Sequence, residues 1–251
     1  MTSQTQRSLR ALSKTLTREV EDRRIAEQIV MVHESREVPA NVRRAVTPFD
    51  VRITPSSFRL QVGLIGPAES RKIEYRVDLR GWQPAEGPAP LLQVMKRAGR
   101  DLVKWENSVI RDGLLSAAGK SMVTREITPA FNQLLDFIAG NGYEPDKVLI
   151  HPYDAARLAE SGMIQSSLFH PDFSLRKGSS FIGRINDLDV HCMHAMKRGV
   201  AVIYDQLEVE LFRAAPKIAL DDQAGPRELV VQAECALLPT AAAVATVDFR
   251  G

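Results

Sequence analysis

The longest regular pattern of apolar and polar positions in this chain runs from Leu91 to Leu114. Apolar residues recur there every three or four positions, as they do along one side of an α-helix. This stripe consists of Leu91, Met95, Ala98, Leu102, Trp105 and Val109, and Lys96, Arg97, Arg100, Asp101, Lys104 and Glu106 fall mostly outside it. The pattern predicts an amphipathic helix roughly 36 Å long, with Leu102 and Trp105 as its anchors in the core.

Two stretches of strict alternation precede this helix. Apolar residues alternate with polar ones from Phe58 to Leu64 and again from Ile73 to Arg80, with the turn-forming segment GPAES between them. Because successive side chains of a strand point to opposite faces, the pattern predicts a hairpin with one apolar and one charged face. A lone hairpin is only marginally stable, so the apolar face needs a cover, which could come from the same chain or from an adjacent subunit.

Residues 1–47 are predicted to form an arm that docks on other structure. Ser13 to Glu34 is expected to be one helix with a thin apolar stripe, which needs a docking partner in the chain or in a neighbouring copy. The arm carries the basic residues Arg7, Arg10, Lys14, Arg18, Arg23, Arg24, Arg36, Arg43 and Arg44. A solvated face explains most of them, although contact with nucleic-acid phosphates requires the same residue types.

The middle of the chain predicts a small α/β layer. Thr128 is expected to cap a helix that begins at Pro129 and ends at Gly140-Asn141-Gly142. The apolar segment KVLIH, residues 147–151, is expected to be a strand that runs into a helix starting at Pro152. Residues 161–181 are polar and predicted to form a loop.

The last third is predicted to be rich in strands. Residues 189–196 and 200–204 are expected to pair as a hairpin across the turn Lys197-Arg198-Gly199, where glycine permits a positive φ. Further strands are expected at 207–213, 228–238 and 243–249, with a break at 219–226. The elements together predict an α+β fold.

Composition limits the functional classes. The chain has 251 residues, of which 44% are hydrophobic and 25% charged, which is typical of a globular protein. A net charge of +2 is too balanced to indicate by itself a nucleic-acid-binding or membrane-surface protein. Cys192 and Cys235 are far apart and lack a CxxC partner, so neither a disulfide framework nor a zinc ribbon is predicted. No signal-like or membrane-spanning run occurs, and synthesis in a reducing, intracellular place is expected.

Candidate catalytic and metal-binding residues are few. His191, Cys192 and His194 are metal-ligand types, but on a strand His191 points away from the other two, so a structural role is favoured. His151 and Asp154 could form an acid–base pair at a strand end, although capping the next helix is the favoured interpretation. His170-Pro171-Asp172 could bind an ion, but a solvated loop is favoured.

Phosphate-loop and hydrolase motifs are also missing. Ala118-Gly119-Lys120-Ser121 resembles the end of a phosphate-binding loop, but Leu114 stands where that motif needs glycine, which indicates a helix stop. There is no GxSxG nucleophile motif. No catalytic, cofactor-binding or metal-binding residue is therefore predicted, and no cofactor.

The order of these segments resembles the major capsid proteins of tailed bacteriophages and the related encapsulins, which share the Hong Kong ninety-seven-type capsid fold. The segments that carry the resemblance are KVLIHPYDAARL, GRINDLDVHCMHAMKRGVAVIYD, LEVELFRAAPKIALDD and ELVVQAECALLPTAAAVATVDF. The resemblance implies the phage major capsid fold, with an N-terminal arm at 1–47, an extended hairpin loop at 48–82, a peripheral domain with the spine helix at 83–129 and 226–251, and a mixed α/β axial domain at 130–225.

The resemblance also implies a function. It implies a non-enzymatic major capsid protein that self-assembles into hexamers and pentamers of an icosahedral shell around double-stranded DNA, with the hairpin loop overlapping a neighbouring subunit. Its partners would be copies of itself, portal, scaffolding or decoration proteins, and packaged DNA by non-specific contact, with no membrane. It would be located in the virion and assembled in the host cytoplasm, and Lys72 would be the candidate lysine for a covalent cross-link. The alternatives are an encapsulin-type nanocompartment shell and, in another class, a small α+β enzyme using His151 and Asp154.

Overall fold

The structure is a computed structural model. It describes residues 3–35, 71–79, 89–165, 180–221 and 228–250. The first predicted hairpin strand at 58–64, the Gly/Pro-rich linker up to residue 88 and the loop containing His170 lie outside the described residues.

The fold is α+β, as predicted from the sequence. The helices are α1 (Ser3–Glu21), α2 (Ala26–Ile29), α3 (Ala89–Ala117), α4 (Ile127–Gly140) and α5 (Pro152–Glu160). The strands are β1 (Met31–Ser35), β2 (Arg71–Asp78), β3 (Lys120–Val123), β4 (Lys147–Ile150), β5 (Phe181–Ile185), β6 (Leu188–Cys192), β7 (Val200–Tyr204), β8 (Val209–Ala214), β9 (Lys217–Asp221), β10 (Glu228–Pro239) and β11 (Val244–Asp248).

The first of two sheets, which we call the arm sheet, gathers strands from distant parts of the chain. Its order is β1-β8-β10-β2, and β9 pairs with β10 as well. β1 runs parallel to β8, while β10 is antiparallel to β2, β8 and β9. The twelve-residue β10 is the centre of this sheet because it pairs with three other strands.

The long helix α3 and the arm helix α1 lie side by side on one face of the arm sheet. Leu12 and Leu16 of α1 pack with Met95 and Leu102 of α3 and with Leu229 of β10 in one buried cluster. The two helices approach closely, since a Cβ placed on Gly99 would lie 3.0 Å from the Cβ of Glu19. We call α1 and α3 together the helix layer.

The predicted apolar stripe of α3 is confirmed for most of its length. Leu91, Met95, Ala98, Leu102 and Val109 are buried, whereas Trp105 is only half-buried and is therefore a weaker anchor than predicted. The first half of α3 packs under α1, and its second half, with Val109, Ile110 and Leu114, packs against the second sheet. The helix therefore joins two cores.

The prediction of one arm helix over Ser13–Glu34 is wrong. The helix starts earlier and ends at Glu21, after which α2 and β1 follow. Ile25 and Ile29 turn into the core between the two sheets, and Met31–Ser35 adds to the arm sheet as a strand. The periodicity continued through the break because helix and strand both bury apolar residues of this segment.

The second predicted hairpin strand is confirmed as β2, but its cover comes from the chain itself. β2 pairs antiparallel with β10 over Arg71–Asp78. Ile73 packs against the helix-layer cluster, and Leu79, just after the strand, is buried in it. Lys72 is the second residue of this strand, and its ammonium lies 3.5 Å from the carboxylate of Glu234.

The second sheet, which we call the axial sheet, has six strands in the order β3-β11-β7-β4-β6-β5. Helices α4 and α5 pack on one face, where the apolar core includes Phe131, Leu134, Ile138 and Leu158. The other face meets α2, the second half of α3 and the arm sheet.

The predicted hairpin between residues 189–196 and 200–204 is wrong. β4 lies between β6 and β7, parallel to one and antiparallel to the other. The turn at Lys197–Gly199 is real, and Gly199 has the expected positive φ of 74°. The actual hairpin joins β5 and β6 through Asn186 and Asp187, both at positive φ, which the sequence concealed because no glycine marks the turn.

Two boundaries also differ from prediction. Thr128 is inside α4, whose N-cap is Glu126 without a side-chain cap, although the Thr124 hydroxyl accepts a hydrogen bond from the Glu126 N–H. The predicted break at 219–226 is occupied up to Asp221 by β9, which is stabilised by pairing with β10.

Candidate functional site

A cluster of charges with a buried centre and two exposed carboxylates, Glu27 and Glu34, lies where α2, β1, α3 and β8 meet. The guanidinium of Arg213 on β8 contacts the carboxylates of Glu27, Glu34 and Glu106, the last at 3.5 Å. Arg24, between α1 and α2, contacts Glu106 at 3.1 Å. Arg213 is 5% exposed and Glu106 4%. We call these residues the charge cluster; it links α2 and β1 to α3 and β8.

The electrostatics of the charge cluster follow from its burial. Burial raises the pKa of Glu106, against the attraction of Arg24 and Arg213. At Glu27 burial also opposes ionisation, but the hydrogen bond from Arg213 wins and lowers its pKa. A buried carboxylate and two arginines depend on each other, because either sign alone would be left desolvated.

The sequence prediction missed this cluster because Glu106 was grouped with the charged residues of α3 that fall mostly outside the apolar stripe. Glu106 follows Leu102 by four positions and precedes Val109 by three. It therefore lies on the apolar side of the helix, and its position was the available signal. Its partner Arg213 is the last residue of the strand predicted at 207–213, where the alternation of apolar and polar residues was the only signal.

The outer side of the helix layer carries two rows of basic side chains. One row is on α1 and the other on α3, and all of these side chains are exposed: Arg7, Arg10, Lys14 and Arg18 on α1, and Lys96, Arg97, Arg100 and Lys104 on α3. We call these two rows the basic face.

Carboxylates neutralise only part of the basic face. Arg100 donates to Glu19 at 3.0 Å, and Lys104 contacts Asp101 at 3.4 Å. Arg97 is 87% exposed and reaches Asp101 only at 4.0 Å. Arg7, Arg10, Lys14 and Lys96 have no ion-pair partner among the described residues. The face therefore presents uncompensated positive charge.

The strand-end pair His151 and Asp154 is used structurally. The His151 Nδ1 accepts a hydrogen bond from the Tyr153 N–H at the start of α5, which confirms the capping role. The buried Asp154 carboxylate accepts from the Gly199 N–H at 2.7 Å and so holds the turn before β7. Burial lowers the pKa of His151, and the nearby Asp154 only partly opposes this.

His191 and Cys192 lie on opposite faces of β6, as predicted from strand geometry. The Cys192 side chain packs in the core under α4 and α5, and burial raises its pKa to about 12. His191 lies on the other face, with Nδ1 2.8 Å from the Ser180 hydroxyl. His194 is outside the strand and exposed, in edge contact with the His151 ring.

His191 is hydrogen-bonded through one ring nitrogen. Its Nδ1 lies 2.8 Å from the Ser180 hydroxyl, which is also 3.0 Å from the Gln28 side-chain oxygen, and the Ser180 N–H donates to that oxygen. The Nε2 atom is buried and has no hydrogen-bond partner within the described residues. Burial there lowers the pKa of His191 to about 4.

Other sequence candidates have no chemical site around them. Gly119 ends the stretch after α3, and its N–H donates to Ala241 and Val244 as the chain enters β3, so this segment is the predicted helix stop. Within the described ranges no three His, Cys, Asp or Glu side chains come together as metal ligands. The same ranges contain no helix long and apolar enough to cross a bilayer.

Several exposed apolar side chains lie at sheet edges and turns. Val123, at the end of the edge strand β3, is 73% exposed, and Leu207, in the short 3-10 helix before β8, is 68% exposed. Tyr153 is 52% exposed and carries the Arg198 guanidinium over its ring at 4.7 Å. Tyrosine and arginine are enriched among the residues that contribute most to protein interfaces.

Comparison with solved structures identifies the fold. No protein-family model and no curated protein sequence matches the chain. A capsid of an empty GTA particle is similar at a TM-score of 0.60 and 12% identity, over 90% of each chain. A virus-like particle from Pyrococcus furiosus is similar at 0.57 and 14% identity, over 95% of this chain and 98% of the other.

An encapsulin is similar as well. The SrpI encapsulin from Synechococcus elongatus matches at a TM-score of 0.56 and 17% identity, over 86% of this chain and 84% of the encapsulin chain. These likenesses confirm the predicted fold, the one that phage-type capsid and encapsulin shell subunits share.

Proposed function

We propose that this chain is a major capsid protein that self-assembles into hexamers and pentamers of an icosahedral shell enclosing double-stranded DNA. The observation that carries the proposal is the likeness to shell subunits over nearly the whole of both chains. Fold alone does not determine function. Here, however, the match extends over nearly the whole chain, so no large segment is left over that could carry a different function.

The surface of the chain is compatible with assembly. Among the described residues, β1, β2 and β9 are edge strands of the arm sheet, and β3 and β5 are edge strands of the axial sheet. Edge strands offer backbone groups to neighbouring chains unless they are covered. The exposed Val123 and the Tyr153–Arg198 pair supply side chains suited to such contacts.

The expected organisation and partners belong to the same proposal. The chain would divide into the arm at 1–47, the hairpin loop at 48–82, the peripheral domain at 83–129 and 226–251, and the axial domain at 130–225. The hairpin loop would overlap a neighbouring subunit. The shell would assemble in the host cytoplasm with portal, scaffolding or decoration proteins, and would contact packaged DNA non-specifically.

An encapsulin-type compartment is the second candidate. The likeness to the SrpI encapsulin favours it, at a TM-score close to those of the other shells. The two functions differ in cargo, since a capsid encloses nucleic acid and a compartment encloses protein. Nuclease-protected nucleic acid inside purified particles would support the capsid, and its replacement by a discrete protein would support the compartment.

The enzyme that uses His151 and Asp154 has weaker support. The Asp154 carboxylate is bound by the Gly199 N–H, and His151 caps α5. His151→Ala should therefore leave particle formation intact and lower stability by about 1 kcal/mol, the usual loss of a helix cap.

Electron microscopy with sedimentation velocity on the purified chain tests the proposed function. We expect closed particles or capsomer rings of uniform size. A stable species at the chain mass of 27.9 kDa, persisting at high concentration, would contradict it.

A further inference from the structure

We propose that the basic face of the helix layer binds the phosphate backbone of duplex nucleic acid without sequence preference. This inference rests on the proposed function in one respect: in a shell that encloses DNA, the basic face would have to be turned to the interior to reach the DNA. The chemistry itself belongs to the side chains of α1 and α3.

The charge of the basic face is a local arrangement and not a consequence of net charge. The chain has 33 basic and 31 acidic residues, so a random surface would mix the two signs. Two acidic residues beside the rows are in ion pairs, Glu19 with Arg100 and Asp101 with Lys104. Asp22, the residue after α1, contacts Arg18 at 3.7 Å and offsets the charge at that end of the first row. Such segregation raises the local positive potential well above that of a neutral surface.

The dimensions of the basic face suit a nucleic-acid backbone. The row from Arg7 to Arg18 spans about 16 Å along α1 at ~1.5 Å per residue. Neighbouring packed helices lie roughly 8–10 Å apart, which places the second row, Lys96 to Lys104, within reach of the same ligand. Duplex DNA presents about one charge per 1.7 Å of axis, so both rows can meet phosphates at once.

The residue types favour a duplex over a single strand. α1 contains no aromatic residue, and the one tryptophan of α3, Trp105, is half-buried. Stacking of aromatic side chains on unpaired bases is what stabilises single-strand complexes. Arginine and lysine rows without aromatics bind backbone phosphates and carry no means of reading bases.

The test measures binding of a fluorescent 30-base-pair duplex to the full chain by anisotropy over a series of NaCl concentrations. The oligomeric state is recorded by light scattering in the same buffers. We expect binding that weakens linearly in log–log form as salt rises, with a slope of about −0.9 for each phosphate contacted.

A matched pair of variants locates the binding surface. Arg10→Gln with Lys14→Gln removes two charges from the basic face, and glutamine keeps the helix propensity. Arg157→Gln with Lys197→Gln removes two exposed charges that lie outside it and have no ion pair among the described residues. The first variant should weaken binding about tenfold or more at 0.1 M salt and reduce the slope by about 1 to 2. The second should match the wild type.

The outcomes separate this inference from the proposed function. Equal losses in both variants would overturn the inference, since net charge alone would then explain binding. Equal affinity for poly-glutamate at the same salt would also overturn it, because the face would not prefer phosphate. If particles form but the basic-face variant binds the duplex as tightly as the wild type, only this inference fails. If the basic-face variant binds more weakly but particles never form, only the proposed function fails.

Discussion

The two sheets of this chain are stabilised in different ways. The axial sheet is built around apolar strands: β7 is buried along its whole length, and α4 and α5 cover one face with further apolar residues. The arm sheet is assembled from distant segments, and its junction with the arm is made by the charge cluster around Arg213 and Glu106. The axial sheet therefore depends on apolar packing, whereas the N-terminal segment combines apolar packing and strand pairing with paired charges.

This difference bears on how a shell subunit would work. The apolar axial sheet tolerates little change in side-chain volume, because buried packing is close to that of a crystal. The charge cluster is only partly satisfied, since Arg24 Nε, Glu106 Oε1 and Arg213 Nη1 are buried without a hydrogen-bond partner among the described residues. Displacing one partner would leave a further charge desolvated, so the cluster disfavours other placements of α2 and β1 on α3.

The largest effect is expected from breaking the charge cluster. Arg213→Met removes the guanidinium that three carboxylates share and leaves Glu106 buried with Arg24 as its remaining partner. We expect a loss of about 3–5 kcal/mol in the free energy of unfolding, measured with urea. The control Arg184→Met breaks an exposed pair with Asp189 and should cost less than about 1 kcal/mol. Similar small losses for both would show that the arm is not held by charge.

The next largest effect is expected where the two sheets meet, at His191. Its folded pKa of about 4 lies below the ordinary value of 6.5, so the unfolded chain takes up the proton first as the pH falls. The contribution of His191 to the free energy of unfolding is fully present above pH 6.5 and is lost as the pH falls towards 4. Between pH 6.5 and 5 the loss should be about 2 kcal/mol.

The variant His191→Asn isolates that titration. Asparagine can keep a hydrogen bond to the Ser180 hydroxyl but does not titrate in this range. The unfolding free energy of the variant should therefore change less than that of the wild type between pH 6.5 and 5. If the free energies of unfolding of the wild type and the variant change equally with pH, the claim that His191 is buried in its neutral form is wrong.

The smallest effect compares two glycines, one after α4 and one before β7. Gly199 and Gly142 both have positive φ, but a Cβ at Gly199 would lie 2.0 Å from Cγ of Arg250, whereas none of the described atoms lies within 4 Å of a Cβ at Gly142. Gly142→Ala should cost about 1–2 kcal/mol for the left-handed backbone alone. Gly199→Ala should cost more, because the Arg250 side chain must also move. Equal melting temperatures for the two variants would contradict the close packing before β7.

The sequence was most informative where local order determines structure. The strand KVLIH followed by Pro152 predicted β4 and α5 almost to the residue, and the stripe from Leu91 to Val109 predicted the buried side of α3. These elements are governed by periodicity and by caps, which lie within a few residues of each other.

The sequence was least informative about contacts between distant segments. Alternation predicted β6 and β7 as strands but could not show that β4 lies between them. The arm periodicity continued through the break after Glu21, and the charge of Glu106 concealed its buried position. In each case the deciding partner is far away in the chain, so no local pattern could identify it.

A cryo-electron microscopy reconstruction of particles formed by the purified chain tests the proposed shell and the orientation of the basic face most directly. The proposed function and the basic face together predict closed particles in which the helix layer lines the inner surface, with Arg97 and Lys14 directed at the contents. Particles whose helix layer faces outward would contradict the assignment of the DNA-binding face. A preparation that yields no particles under any assembly condition would contradict the shell itself.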